Sequence, residues 1–179
     1  MTELNTQRLT GRLIADSDVA RLRLLHNDER VMATLSADGQ KLPHAVSKRI
    51  LAKFMVEGGG ELGRGVWVFH TRSDGMFTGY AGILPYMADG LNEHELLYAV
   101  PFLEWGKGYA TEMATAVTEN IFNASRLSEI VAMTLPTNAK SRRVMEKLGF
   151  DFERDMKKAG LDHVLYRLTR RVWTARATA

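Results

Sequence analysis

The sequence predicts an α/β (α+β) fold, a single domain on a mixed, mostly antiparallel sheet with helices on both faces. Three observations predict it. The chain has 179 residues, enough for one ordinary core and too few for two large ones. Apolar residues make up 45% and charged residues 25%, the balance of a globular chain. The apolar pattern switches between strand alternation and helical spacing in the order β-α-α-β-β-β-α-β-α-β-β.

Each element has a local cause. Arg8 to Ile14 reads as a first strand, and Asp16 then offers a carboxylate to cap a helix through Val19, Ala20, Leu22, Arg23 and Leu24. A second helix is expected from Pro43 to Val56, with Val46, Ile50, Leu51 and Phe54 at helical spacing. Gly58-Gly59-Gly60 should end it in left-handed conformations. Val66 to Thr71, Phe77 to Leu84 and Glu95 to Val100 read as three strands, separated by Ser73-Asp74-Gly75 and Ala88-Asp89-Gly90. Turns that short allow only an antiparallel meander, with Trp67 and Phe69 as core. A helix follows with Ala110, Met113, Ala114, Val117 and Ile121 on one face, then a strand from Glu129 to Leu135. Asn138 to Leu148 is helical and Gly149 stands at its C-cap; His163 to Thr169 is a closing strand. The domain is expected to occupy residues 1–173, with residues 174–179 as a frayed tail.

Composition excludes several chemistries. The chain has no cysteine, which removes disulfide scaffolds, thiolate zinc sites and cysteine nucleophiles. The five histidines (His26, His44, His70, His94, His163) include no i, i+4 pair, so no metal site is expected. A net charge of +3 and a pI near 9.3 are too mild to suggest a polyanion partner, and no nucleic acid is expected. Met1-Thr2-Glu3-Leu4-Asn5 has neither a basic nor an apolar leader region, and no apolar run approaches the ~20 residues of a membrane span. A cytoplasmic location without membrane contact is the expectation.

The chemistry concentrates in Glu95 to Glu112, a strand, a loop with Gly106 and Gly108, and the start of a helix. Free N–H groups of such a loop and first helical turn converge on one place and form an anion site. Two glycines let a pyrophosphate approach the backbone without meeting a Cβ. A Walker loop is excluded because Lys107 precedes Gly108 rather than Ser or Thr. The dinucleotide fingerprint is excluded because Thr111 occupies its sixth position.

Trp105-Gly-Lys-Gly-Tyr-Ala-Thr-Glu112 resembles the acyl-CoA pyrophosphate loop of the GCN5-related N-acetyltransferases (GNAT), and looks most like their RimJ/RimL-type branch. Asn138-Ala-Lys-Ser141, leading to Glu146-Lys-Leu-Gly-Phe150, resembles the second hallmark of that branch, and Arg8-Leu9 fits the way such proteins begin. The resemblance implies acetyl-CoA as cosubstrate and a primary amine as acceptor. The pantetheine arm would pair with the backbone of Tyr98, Ala99 and Val100. The pyrophosphate would lie on the amides of Trp105, Gly106, Lys107, Gly108, Tyr109 and Ala110, with Thr111 at the helix start. Asn138 would bond the pantetheine and Ser141 would sit near the sulfur. Many relatives have Gln or Arg at the position of Trp105, and a tyrosine where this chain has Met145.

Each assignment has a plainer alternative. Asn138 is also a good N-cap, and Ser141 is equally readable as a solvated helix residue. Glu95 is either the base that takes the acceptor's proton or an exposed strand glutamate; Glu93 shares its face and His94 lies on the other. Lys140, Arg142, Arg143 and Lys147 read as a solvated helix face or as an attraction for the CoA 3′-phosphate. Whole-chain alternatives are a catalytically silent acyl-CoA-binding module and a nucleic-acid-binding domain, the second lacking any interleaving of basic and aromatic residues. A homodimer is compatible with all of these.

Overall fold

The computed structural model describes residues 3–36, 38–58, 61–88, 91–158 and 160–177. Its strands are β1 (Glu3–Asn5), β2 (Leu9–Leu13), β3 (Gly65–Thr71), β4 (Phe77–Ala88), β5 (Leu91–Ala99), β6 (Glu129–Thr134), β7 (Asp151–Lys158) and β8 (Leu161–Thr169). Its helices are α1 (Val19–His26), α2 (Glu29–Met32), α3 (His44–Glu57), α4 (Tyr109–Ala124), α5 (Ala139–Leu148) and α6 (Arg170–Ala177). The strands form one sheet in the order β1-β2-β3-β4-β5-β6-β8-β7. Only β5 and β6 run parallel, so the expected mixed, mostly antiparallel sheet is what forms.

Strand alternation divides the core in two. Trp67, Phe69, Ala81, Ile83 and Leu96 face α4, where Met113, Ala114, Val117 and Ile121 are fully buried as the spacing predicts. Val66, Val68, Tyr80 and Ala99 face the other way, onto Leu22 and Leu25 of α1 and Leu51 and Phe54 of α3. Because β3 is buried on both faces, it reads as a continuous apolar run. The meander β3-β4-β5 is antiparallel, and Ser73-Asp74-Gly75 turns between its first strands with Gly75 at φ +71°. Asp89 and Gly90 of the second expected turn lie outside the described residues, as do Gly59 and Gly60.

Four local expectations are corrected. Asp16 is exposed, and the carboxylate that organises the entry to α1 is Asp18, which is fully buried. It accepts from the Ala15 amide at 2.9 Å, from Arg12 at 2.7 and 2.8 Å, and from Arg21 at 2.9 Å. Gly58 ends α3 at φ −93°, not in the left-handed region. It is glycine for space, since a Cβ would stand 2.4 Å from the Phe54 carbonyl oxygen. Residues expected to fray from Thr174 continue α6 as far as Ala177; the last two residues lie outside the description. β4 extends past Leu84 to Ala88. The polar strand β7 has no apolar alternation to announce it, because it is an edge strand with exposed side chains.

One irregularity positions everything that follows. β5 pairs with β6 only at Glu95↔Val131 and Leu96↔Ala132. Beyond Leu96 the strands part: β5 continues along β4 through Ala99, while β6 continues along β8 through Thr134. A wedge-shaped slot opens between them, its wall the backbone from Leu97 to Ala99.

Candidate active site

The loop after β5 folds as its two glycines dictate. Gly106 and Gly108 take φ of +80° and +83°, conformations that a side chain disfavours. A Cβ on Gly106 would meet nothing within 4 Å, so the space above the loop is open. Among the described residues, the amides of Gly106, Lys107, Gly108, Tyr109, Ala110 and Thr111 have no backbone acceptor; the first helical bond runs from Glu112 to the Gly108 carbonyl at 3.1 Å. That is a set of N–H donors beside a helix N-terminus, the arrangement an anion requires. Two expectations shrink. The Trp105 amide is spent on the Phe102 carbonyl at 3.1 Å, so the donors begin at Gly106. The Val100 carbonyl is taken by the Trp105 indole N–H at 2.8 Å, and Ala99 turns its carbonyl to β4, which leaves the open edge centred on Tyr98.

Side chains brace the loop. Lys107 turns its ammonium onto Glu104 at 2.9 Å. Trp105 packs against Phe102 with the rings tilted by 56° and their centroids 5.1 Å apart, and Lys140 places its ammonium 4.4 Å from the Trp105 ring centroid. Of the basic residues on α5, then, Lys140 faces the loop, while Arg142 donates to the Tyr166 hydroxyl at 2.9 Å. Arg8 reaches across from the start of β2 to Glu112, a contact with no sequence signature because the residues lie 104 positions apart.

Asn138 and Ser141 face the slot from α5. The Asn138 carbonyl oxygen accepts from the Ser141 amide at 3.1 Å, the N-cap that the residue type suits, and its Nδ2 donates to the Thr34 carbonyl at 3.5 Å. Ser141 Oγ is 2.8 Å from the phenol of Tyr98, which also lies 3.1 Å from the Ser141 carbonyl oxygen. Burial pushes the Tyr98 phenol up from its usual value, against the opposing pull of the Ser141 hydrogen bond, so the phenol keeps its proton. Met145 is buried in the core. The sequence reading valued Tyr98 for its backbone and missed its side chain.

Glu95 stands at the mouth of the slot. Both of its oxygens accept from the Lys158 ammonium at 2.8 Å, and Lys158 lies 4.5 Å from the Tyr86 ring centroid. Glu95 is therefore an ion-paired, mostly buried carboxylate, neither free nor exposed. Glu93 on the same face is held by Arg167 at 2.9 Å, and Arg167 also binds Glu129 and Glu153. Glu95 shares strand parity with Leu97 and Ala99 on the α1–α3 side, whereas Tyr98 packs against the α4 side. The slot thus has a carboxylate on one face of the sheet and a hydroxyl pair on the other.

The profile of the family described as "Acetyltransferase (GNAT) domain" matches residues 8–151. The chain belongs to the GNAT acetyltransferase family. Its 32% identity over 158 residues to YkkB of Bacillus subtilis (strain 168), an uncharacterized protein, covers 88% of this chain and 90% of that one. Solved structures of similar fold include complexes with coenzyme A. RimL, described as a ribosomal L7/L12 alpha-N-protein acetyltransferase, superposes with a TM-score of 0.75 at 15% identity, over 93% of this chain and 97% of its own. The aminoglycoside acetyltransferase AAC(6′)-Ib gives 0.76 at 20% identity, over 96% and 99%. The GNAT fold is common to both, so the likeness does not select the RimJ/RimL-type branch. Among the described residues, no helix is long and apolar enough to cross a membrane, and no group of three or more His, Asp and Glu side chains is placed to hold a metal ion.

Proposed function

We propose that the protein moves an acetyl group from acetyl-CoA to a primary amine, either a protein N-terminal α-amine or a small-molecule amine, by direct attack in a ternary complex. The observation that carries this is the slot beyond Leu96, open between two strands and ending at a two-glycine loop of free amides. A pantetheine arm is a chain of amides that pairs with an exposed strand edge, and the Tyr98 backbone supplies that edge. The loop from Gly106 to Thr111 supplies donors for the pyrophosphate.

The two faces of the slot divide the proton work. The amine approaches from the Glu95 side and attacks the thioester carbonyl; the C–N bond forms, and the carbonyl oxygen is held by a backbone N–H of the β5 edge at Tyr98. The amine's proton passes to Glu95, directly or through a water, and that transfer requires Lys158 to release one carboxylate oxygen. The C–S bond breaks toward Ser141, which the Tyr98 phenol holds at 2.8 Å; its hydroxyl gives the proton to the sulfur and recovers one from solvent as Glu95 returns the amine's proton to solvent. No covalent enzyme intermediate is needed.

A second reading, a catalytically silent acyl-CoA-binding module, draws on the ion pair that occupies Glu95. Turnover separates the two. The chain has no cysteine, so a thiol reagent reports released CoA without background. N-terminal peptides, polyamines, aminoglycosides and amino acids are assayed in parallel with acetyl-CoA. Thiol release with at least one amine is expected; CoA binding without release across the panel would establish the silent module. With a responsive amine, Glu95→Gln should lower kcat/KM most below the acceptor's pKa and least where the amine is already neutral. An equal loss at every pH would assign Glu95 to structure.

A further inference from the structure

The peptide joining Lys107 to Gly108 decides whether the loop offers an anion donors or an acceptor. In a trans peptide the carbonyl and the following N–H point in opposite directions. If the Lys107 carbonyl points away from the open space above the loop, the Gly108 amide points into it; if the peptide turns over, a carbonyl oxygen faces the anion. Glycines flank the position on both sides, Gly106 at φ +80° and Gly108 at φ +83°, and glycine resists such a turnover less than any other residue. Something has to hold the peptide.

Arg8 is the residue in place to do so. Its Nη1 donates to the Lys107 carbonyl at 3.0 Å. Its Nε and Nη2 are committed to Glu112 Oε2 at 2.7 and 2.6 Å, which aims the remaining nitrogen at that carbonyl. Glu112 is itself fixed through Oε1, which accepts from the Arg8 amide at 2.8 Å and the Thr6 hydroxyl at 2.6 Å. The guanidinium carbon lies 4.8 Å from the Tyr109 ring centroid, and a Cβ on Gly108 would meet Arg8 Nη2 at 3.3 Å. One side chain from the start of β2 thus touches, or lies against, three successive loop residues.

We infer that Arg8, oriented by Glu112, is a positioning residue that locks the Lys107–Gly108 peptide in its anion-receiving orientation and so sets affinity for a pyrophosphate-bearing cosubstrate. This rests on the cofactor reading given above. The clasp makes no demand on the pantetheine or acetyl end of the cosubstrate, so its effect must track the pyrophosphate alone.

The test compares two donors on the full chain. CoA binding is measured by calorimetry, and kcat/KM is measured with acetyl-CoA and with S-acetylpantetheine, which has no pyrophosphate. Arg8→Lys keeps a cation opposite Glu112 but cannot span both Glu112 and the Lys107 carbonyl. It should weaken CoA about 10- to 100-fold, the worth of a charge-assisted hydrogen bond, and change S-acetylpantetheine turnover by less than about twofold. Glu112→Gln should show the same split, and the double variant should lose little more than either single one. Melting without ligand reads the fold separately, and Arg8→Lys decides the matter if Arg8→Ala does not fold. CoA binding by Arg8→Lys as tight as by the unaltered chain overturns the inference, as does equal loss with both donors. An unaltered chain that does not bind CoA overturns the cofactor reading and this inference with it.

Discussion

At the scale of single residues, Gly106 and Gly75 form a matched pair. Both take left-handed φ, +80° and +71°, and a Cβ at either would meet nothing within 4 Å. Alanine at each should therefore cost the same backbone strain, about 1 kcal/mol of unfolding stability. Only Gly106→Ala should also weaken CoA, because only that Cβ would stand where the pyrophosphate is placed. Calorimetry on the two variants checks this, and equal CoA affinity would remove Gly106 from the site. The Ser141–Tyr98 pair supplies a second residue-scale prediction. Ser141→Ala should lower kcat by about 10- to 100-fold, or roughly 1.4–2.7 kcal/mol, with acetyl-CoA binding little changed. Tyr98→Phe keeps the ring and removes the hydroxyl that orients Ser141, so it should lower kcat less than Ser141→Ala, and the double variant should resemble Ser141→Ala alone. Turnover that survives Ser141→Ala, with chemistry shown to be limiting, would exclude the pair from proton transfer.

At the scale of elements, the seam joining α1 to the sheet depends on one buried carboxylate. Asp18 is fully buried and bridges Arg12, Arg21 and the Ala15 amide. Burial alone would raise its pKa, but hydrogen bonds from Arg12 and Ala15 and the charges of both arginines outweigh it and hold the carboxyl below its usual value. A depressed folded pKa contributes stability that is present above the unfolded value, near 4, and is lost as pH falls through the folded value. The unaltered chain should therefore lose stability below about pH 4 more steeply than Asp18→Asn, whose own cost at neutral pH is about 2 kcal/mol. Urea melts at pH 7 and pH 3.5 measure both slopes; parallel slopes would contradict the assignment.

What could be read at this scale followed from periodicity and local chemistry. The buried face of α4, the Asn138 cap and the Gly149 stop at φ +92° are all set by residues within a few positions of one another. The edge strand β7 was expected from the element order, but its bounds were not legible, because exposed polar side chains carry no alternation. Nor were the partners that define the site. Lys158 meets Glu95 across 63 positions and Tyr98 meets Ser141 across 43, and such ion pairs and hydroxyl contacts leave no local pattern. The Asp16 and Asp18 carboxylates are equally good caps by type; in the fold Asp18 makes no cap bond to α1 and instead reaches back to the Ala15 amide, where two arginines converge.

At the scale of the whole molecule, one sheet with helices on both faces parts between β5 and β6, and that parting places the β5 edge, the amide loop and α5 around one slot. The proposed function places a pyrophosphate-bearing cosubstrate there. Amide hydrogen exchange, with and without CoA, tests this most directly, because it reports individual backbone N–H groups across the whole sheet. Slowed exchange is predicted at Gly106 to Thr111 and at Tyr98, whose amide faces the slot, with little change at the Gly75 turn or in β7. CoA binding that protects neither the loop nor the β5 edge, or that protects a different face of the sheet, would contradict the account.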